Sequence, residues 1–219
     1  MSIKQNLLDI KSSIPEHITL VAVSKTKPVS DLMEAYNAGH RIFGENKIQE
    51  MVEKHQQMPK DIHWHMIGHV QRNKVKYMAE FVSLIHGVDS LKLLKEINKQ
   101  ALKHDRIINC LLQIKIAEED SKFGMSAEDA STLLSSKEFL ELNNVSIKGL
   151  MGMSTFTANM TQVEREFKFL KTTFDKLQTD YNQLVTISMG MSGDYKLAIE
   201  CGSTMIRVGS NIFGARHYQ

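Results

Sequence analysis

Eight short apolar runs, separated by segments of helical periodicity, constrain this 219-residue chain more than any other feature of it. The runs are ITLVAVS (18–24), HRIFGE (40–45), IHWHMIG (62–68), FVSLIHG (81–87), INCLLQIKI (108–116), SIKGLMGM (146–153), LVTISMG (184–190) and TMIRVGS (204–210). Their β-branched content and length read as buried strands. Between them lie VSDLMEAYNAG, a stretch from Lys47 to about Gln57, QRNKVKYMAE, SLKLLKEINKQALKH with Ser90 as N-cap, SAEDASTLLSS, TQVEREFKFLKTTFDKLQ and the shorter GDYKLAIECG. Thr161 followed by Glu164 forms a capping-box pattern at the start of the longest of these. Strands alternating with helices make parallel βα units. Eight such units predict one α/β domain over residues 1–219, a (β/α)8 barrel with an additional helix at about residues 2–13. A doubly wound open sheet is the alternative.

Composition excludes several other classes. The formal charge is only +2, with basic and acidic residues interspersed, so neither nucleic acid nor a membrane surface is an expected partner. Cys110 and Cys201 sit in apolar stretches without CxxC spacing, which suits buried thiols in a reducing compartment. The N-terminal MSIKQNLLDIKSSI carries a charge every few residues, so no signal peptide or membrane anchor is expected, and the cytoplasm is the expected location.

In a barrel the active site lies at the C-terminal ends of the strands. The first strand ends on Lys25, an amine that is costly to bury unless it is paired, neutral or covalently used; a solvated strand end is the bland alternative. After the last two strands come SMGMSG, with Ser188, Met189, Gly190, Ser192 and Gly193, and RVGS, with Gly209 and Ser210. Glycines admit an anion close to the backbone, and serine hydroxyls with oriented amides donate to it, so both stretches resemble phosphate cradles. Arg207 alternates with Ile206 and Val208 and so faces the barrel interior, where it needs an anion or an acceptor; Glu45 and Glu200 are candidate partners. His63, His65 and His69 lack a companion set at metal-ligand spacing, so no metal is expected, although His65 can line the pocket. The MGM runs read as soft packing.

A lysine facing a phosphate cradle is the arrangement for a Schiff base with an aldehyde or ketone. An arginine on the last strand could then meet the ring nitrogen of pyridoxal phosphate and keep it unprotonated, which weakens the ring as an electron sink. AVSKTKP (22–28), FGENKIQE (43–50), WHMIGHVQRNK (64–74), GLMGMS (149–154), SMGMSGDYKLAI (188–199) and IRVGSNIFGAR (206–216) closely resemble the pyridoxal-phosphate homeostasis protein family, also called YggS/PROSC. The resemblance runs from about residue 20 to the C-terminus, six stretches in one order, and its fold is similar to the N-terminal barrel of alanine racemases.

The resemblance implies that Lys25 carries pyridoxal 5′-phosphate as an internal aldimine. It also implies that Ser192, Gly209 and Ser210, with the Ser188–Met189 loop, hold the phosphate, that Arg207 lies near the pyridine nitrogen, and that Asn46 lies near the ring. It implies a non-catalytic, monomeric carrier that buffers the cofactor or delivers it to apo-enzymes. A two-base alanine racemase takes a tyrosine from a second, β-rich domain, whereas this chain ends nine residues after Ser210; Tyr195 and Tyr218 are read as packing or surface residues. A single-domain pyridoxal-phosphate racemase or lyase is the alternative function, and a barrel aldolase without the cofactor is a third. Lys27, Lys122 and Lys196 stay without a role.

Overall fold

A computed structural model describes residues 2–119 and 123–215. Lys122 and Tyr218 lie outside the described residues. All eight expected strands form: β1 (Thr19–Val23), β2 (Ile42–Glu45), β3 (His63–Met66), β4 (Leu84–Val88), β5 (Ile108–Gln113), β6 (Val145–Met151), β7 (Thr186–Met191) and β8 (Met205–Val208). Each pairs in parallel with the next, and β8 closes onto β1 with Thr19 opposite Met205 and Val21 opposite Arg207. That closure decides for the barrel, since an open sheet would leave two unpaired edges.

Helices α1 (Ile3–Ser13), α2 (Val29–Asn37), α3 (Ile48–Gln57), α4 (Leu91–Leu102), α5 (Ala127–Ser135), α6 (Lys137–Leu140), α7 (Met160–Asp180), α8 (Tyr195–Glu200) and α9 (Ser210–Phe213) surround the barrel. Ser90 caps α4, accepting from the Leu93 N–H at 3.4 Å. Three local readings differ from the sequence-based ones. The QRNKVKYMAE segment is a 3-10 helix over Arg72–Tyr77, and only Val75 of those residues is buried; so little apolar face does not sustain a longer α-helix. The cap of α7 is Asn159, whose side chain accepts from the Gln162 N–H at 3.3 Å, so Thr161 falls inside the first turn and Glu164 pairs instead with Lys168. The short α6 and α9 are helices that the sequence reading did not place.

The core has two compartments. Side chains on the outer face of the sheet, Trp64 and Phe43 among the largest, pack against inward helix residues such as Phe167 of α7. Inside the barrel, Val21, Leu84, Leu111, Met151 and Met205 form a separate apolar plug. Because β-strand side chains alternate, the plug also defines which residues of the following turns face the barrel mouth.

Candidate functional site

Beyond the plug the interior turns polar. Arg207, 4% exposed, donates from Nη1 to the carbonyl of Ser188 at 2.8 Å and to its Oγ at 2.6 Å, and from Nη2 to the carbonyl of Gly152 at 3.0 Å. Ser188 Oγ lies 3.0 Å from His86 Nδ1, and His86 Nε2 lies 3.1 Å from His65 Nδ1. With Arg207 donating to one lone pair, the serine hydroxyl keeps a hydrogen that it can give to His86 Nδ1. In that arrangement His86 carries its proton on Nε2 and donates to His65 Nδ1. Burial drives both imidazoles toward the neutral form: it lowers His65 to about 3 and His86 well below the ordinary histidine value, with His65 and the Arg207 cation adding to the depression of His86. Burial also lowers Arg207, to about 10, against the pull of Asp194.

Neither Glu45 nor Glu200 meets Arg207, contrary to the sequence-based expectation. Glu45 faces the opposite side of β2, and Glu200 is exposed on α8. No carboxylate among the described residues forms an ion pair with Arg207, whose acceptors are neutral oxygens.

Above Arg207 opens a cavity of about 510 Å³. Lys25, two residues beyond Val23 on the inward side of β1, stands in its wall with Asn46, Ser192, Gly209 and Ser210. Among the described residues that line it, the cations Lys25, Lys27 and Arg207 outnumber the single carboxylate of Asp194, an electropositive set. The loops after β7 and β8 are bound together: the Gly209 N–H donates to Ser192 Oγ at 3.2 Å, and Asn211 Nδ2 donates to the Ser192 carbonyl at 3.1 Å. Gly190, the last residue but one of β7, has φ +95°, and an added Cβ there would sit 2.6 Å from that of Ala198, so only glycine allows this conformation. Asp194 accepts from the Met191 N–H at 2.6 Å and from Ser154 Oγ at 3.0 Å, joining the loops after β6 and β7. The opposite wall is apolar, with Met153, Phe156, Met160 and Val163.

Of the expected cofactor residues, six share this wall: Lys25, Asn46, Ser192, Arg207, Gly209 and Ser210. His65 and Ser188 lie beneath it, in the chain that leads to Arg207. Met189 points the other way, buried in the outer compartment between sheet and helices, because it is one residue out of phase with Ser188. His63, His65 and His69 do not converge; His69 stacks on Phe123 with ring centroids 4.2 Å apart. Tyr195 is buried in the outer compartment, packing under Gly190. Lys27 donates to the carbonyls of Phe213 and Ala215 at 2.8 and 3.1 Å, closing the end of α9, and Lys196 is exposed. The sequence reading missed His86, although its alternation with Leu84 in FVSLIHG already turns it inward. It also missed Lys54 and Glu50, which reach Ser24, Glu45 and Thr26 outside their own helix.

The chain matches the family model described as "Alanine racemase, N-terminal domain" over residues 1–217. It is 39% identical over 233 aligned residues to the pyridoxal phosphate homeostasis protein of Pasteurella multocida, covering 100% of this chain and 99% of that one. The chain belongs to the pyridoxal phosphate homeostasis protein family. The family member of Escherichia coli K12 is 38% identical, with 93% of this chain and 88% of that protein covered. Among solved structures, PipY of Synechococcus elongatus without PLP superposes with a TM-score of 0.91 at 34% identity, covering 97% of this chain and 100% of that chain. The same protein with PLP bound gives a TM-score of 0.87 at 33% identity over the same shares. An alanine racemase of Clostridium difficile, at 15% identity and a TM-score of 0.78, shares the fold; all of this chain covers 58% of that one. No helix among the described residues is long and apolar enough to cross a membrane.

Proposed function

We propose that this protein binds pyridoxal 5′-phosphate in the barrel mouth with Lys25 as its covalent anchor. Its role is to keep the pool of that cofactor balanced in the cytoplasm, holding it and handing it to apo-enzymes without turning over a substrate. The observation that carries this reading is the buried Arg207 cation, which has only neutral acceptors and stands in the same cavity wall as the Lys25 amine. A buried cation without a carboxylate favours an anionic ligand. The names of the curated relatives and the PLP-bound PipY structure support the choice of anion.

The residues present fit the cofactor. Ser192 and Ser210 offer hydroxyls beside the side-chain-free Gly209 at the bound-together loops after β7 and β8, where barrels hold phosphates. Gly209 also lets that loop pass close to β1, since an added Cβ would lie 3.1 Å from the Val23 carbonyl. Arg207, held as a cation, disfavours protonation of a ring nitrogen beside it. Asn46 supplies an amide on the cavity wall near the anchor. When bound, pyridoxal phosphate supplies an aldehyde that condenses with an amine, a C=N bond replacing C=O with release of one water.

The test is borohydride reduction of the purified protein after incubation with pyridoxal phosphate, followed by peptide mass mapping. The expected result is a pyridoxyl adduct on the Lys25 peptide that disappears in Lys25→Ala. An adduct elsewhere, or none, overturns the anchor. Incubation with L-alanine in deuterium oxide tests the non-catalytic part: deuterium entering Cα at an enzymic rate would replace the carrier with a racemase.

A further inference from the structure

Behind β1, on the side of the sheet away from the cavity, lies a buried ionic cluster that none of the site residues uses. Lys54 of α3 is 5% exposed, and its Nζ donates to the Ser24 carbonyl at 2.8 Å, to Glu45 Oε1 at 2.7 Å and to Glu50 Oε1 at 2.7 Å. An ammonium has three hydrogens, so Lys54 is fully committed. Glu45 Oε1 also accepts from Ser24 Oγ at 2.6 Å, and Glu50 Oε1 accepts from the Thr26 N–H at 2.6 Å. Glu45, Glu50 and Lys54 are all absent from the cavity wall.

The two residues held in this way are the neighbours of Lys25. The Ser24 carbonyl belongs to the peptide plane that precedes the Lys25 Cα, and the Thr26 N–H belongs to the plane that follows it. Those two planes define φ and ψ of Lys25, and with them the direction of its Cα–Cβ bond. Thr26 itself sits at φ +64°, a left-handed conformation that L-residues seldom adopt and that persists where the surroundings over-determine it. Stability alone gives little reason for the cluster, because a buried ion pair is often replaceable by apolar side chains without loss. Glu45 shows the strain of the arrangement: its Oε2 is buried without a hydrogen-bond partner, and burial raises its carboxyl above the ordinary value against the pull of Lys54.

We propose that Glu45, Lys54 and Glu50 are positioning residues for Lys25, a clamp on both adjoining peptide planes that aims the amine into the cavity. The inference rests on Lys25 being the covalent anchor. Misplacing a reacting group by about 1 Å can cost on the order of a hundredfold in rate, whereas binding that does not involve the amine is untouched.

Glu50→Ala tests this with the fold retained, since Glu50 is the partly exposed member, with 22% of its side chain accessible. Two quantities are measured: the rate of pyridoxal phosphate attachment, followed by absorbance, and the affinity for pyridoxine 5′-phosphate, which lacks the aldehyde. Attachment is expected to slow by about tenfold, with pyridoxine 5′-phosphate affinity within about twofold of the parent. Glu50→Gln, whose amide oxygen can again accept from Thr26 and Lys54, is expected to recover most of the rate. Attachment at the parental rate in Glu50→Ala, equal losses in both quantities, or no recovery in Glu50→Gln would each overturn the clamp. Failure of the unsubstituted protein to attach pyridoxal phosphate at Lys25 would instead remove the anchor on which the clamp depends.

Discussion

Lys54 and Arg207 are both buried cations, on opposite faces of the same barrel wall, and their partners differ in kind. Lys54 is ringed by two carboxylates and a carbonyl. Arg207 has a hydroxyl and two carbonyls. The first charge is balanced within the fold, so it can position neighbouring backbone but has little left to offer a ligand. The second is solvated by dipoles and left unbalanced beside an electropositive cavity. A fold bears the desolvation of such a charge when an anion completes it. The contrast separates a structural cation from a recognition cation without reference to either residue's motif.

The largest effect that would break this comparison is in stability. Lys54→Met strands the Glu45 carboxylate in a buried site and is expected to cost about 3–5 kcal/mol, read from urea unfolding. Arg207→Met strands only neutral oxygens, for which about 1–3 kcal/mol is the scale, while removing a buried charge. Its stability loss is expected to be the smaller of the two, and its loss of pyridoxine 5′-phosphate affinity the greater. The reverse ranking on either measurement would show that the two cations have been assigned to the wrong roles.

Acid should separate the regions next. His65 and His86, beside Arg207, have native values below the ordinary 6.5, as does buried His40, which burial lowers to about 4. Groups depressed in the folded state contribute stability above the unfolded value and lose it as pH falls toward the folded one. Each should therefore remove about 1.4 kcal/mol per pH unit from near pH 6.5 downward. Glu45 has the opposite sign: its folded value is raised, so its contribution is present at low pH and lost as pH rises through that value. Urea midpoints measured from pH 7 to pH 4.5 should fall steadily; a flat profile would mean that the histidines titrate normally in the fold.

The smallest effect sharpens the neutral side of the comparison. Ser188→Ala removes one hydroxyl between Arg207 and His86 and should cost about 1 kcal/mol. In the unsubstituted protein, 15N spectra should show His86 protonated at Nε2 and acting as an acceptor at Nδ1. Protonation at Nδ1 would reverse the direction of the chain and remove the serine as its source.

The sequence by itself determined the strand count, the fold class and the family. Period-2 and period-3.6 patterns reflect local backbone geometry, and the six motif stretches survive as contiguous residues. Six of the nine expected site residues line one cavity: Lys25, Asn46, Arg207 and Gly209 in phase with inward strand positions, Ser192 and Ser210 through the turns after β7 and β8. Met189 departs from the expectation because SMGMS was read as one unit, although alternation places its neighbouring residues on opposite sides of the sheet. Alternation also cannot say what an inward arginine meets: Glu45 was expected as an inward carboxylate at a strand end, but its side chain belongs to the outer face. Asn159 displaced Thr161 as the cap of α7 because several residues near a helix start can accept from its free N–H groups, and the backbone path chooses among them. Only the tertiary structure decided that Ser188, His86 and His65 line up beneath Arg207, and that Lys54 and Glu50 hold the two sides of Lys25. The residues in these networks come from different strands and helices, up to 102 positions apart in the chain, and barrel closure brings them within hydrogen-bond distance.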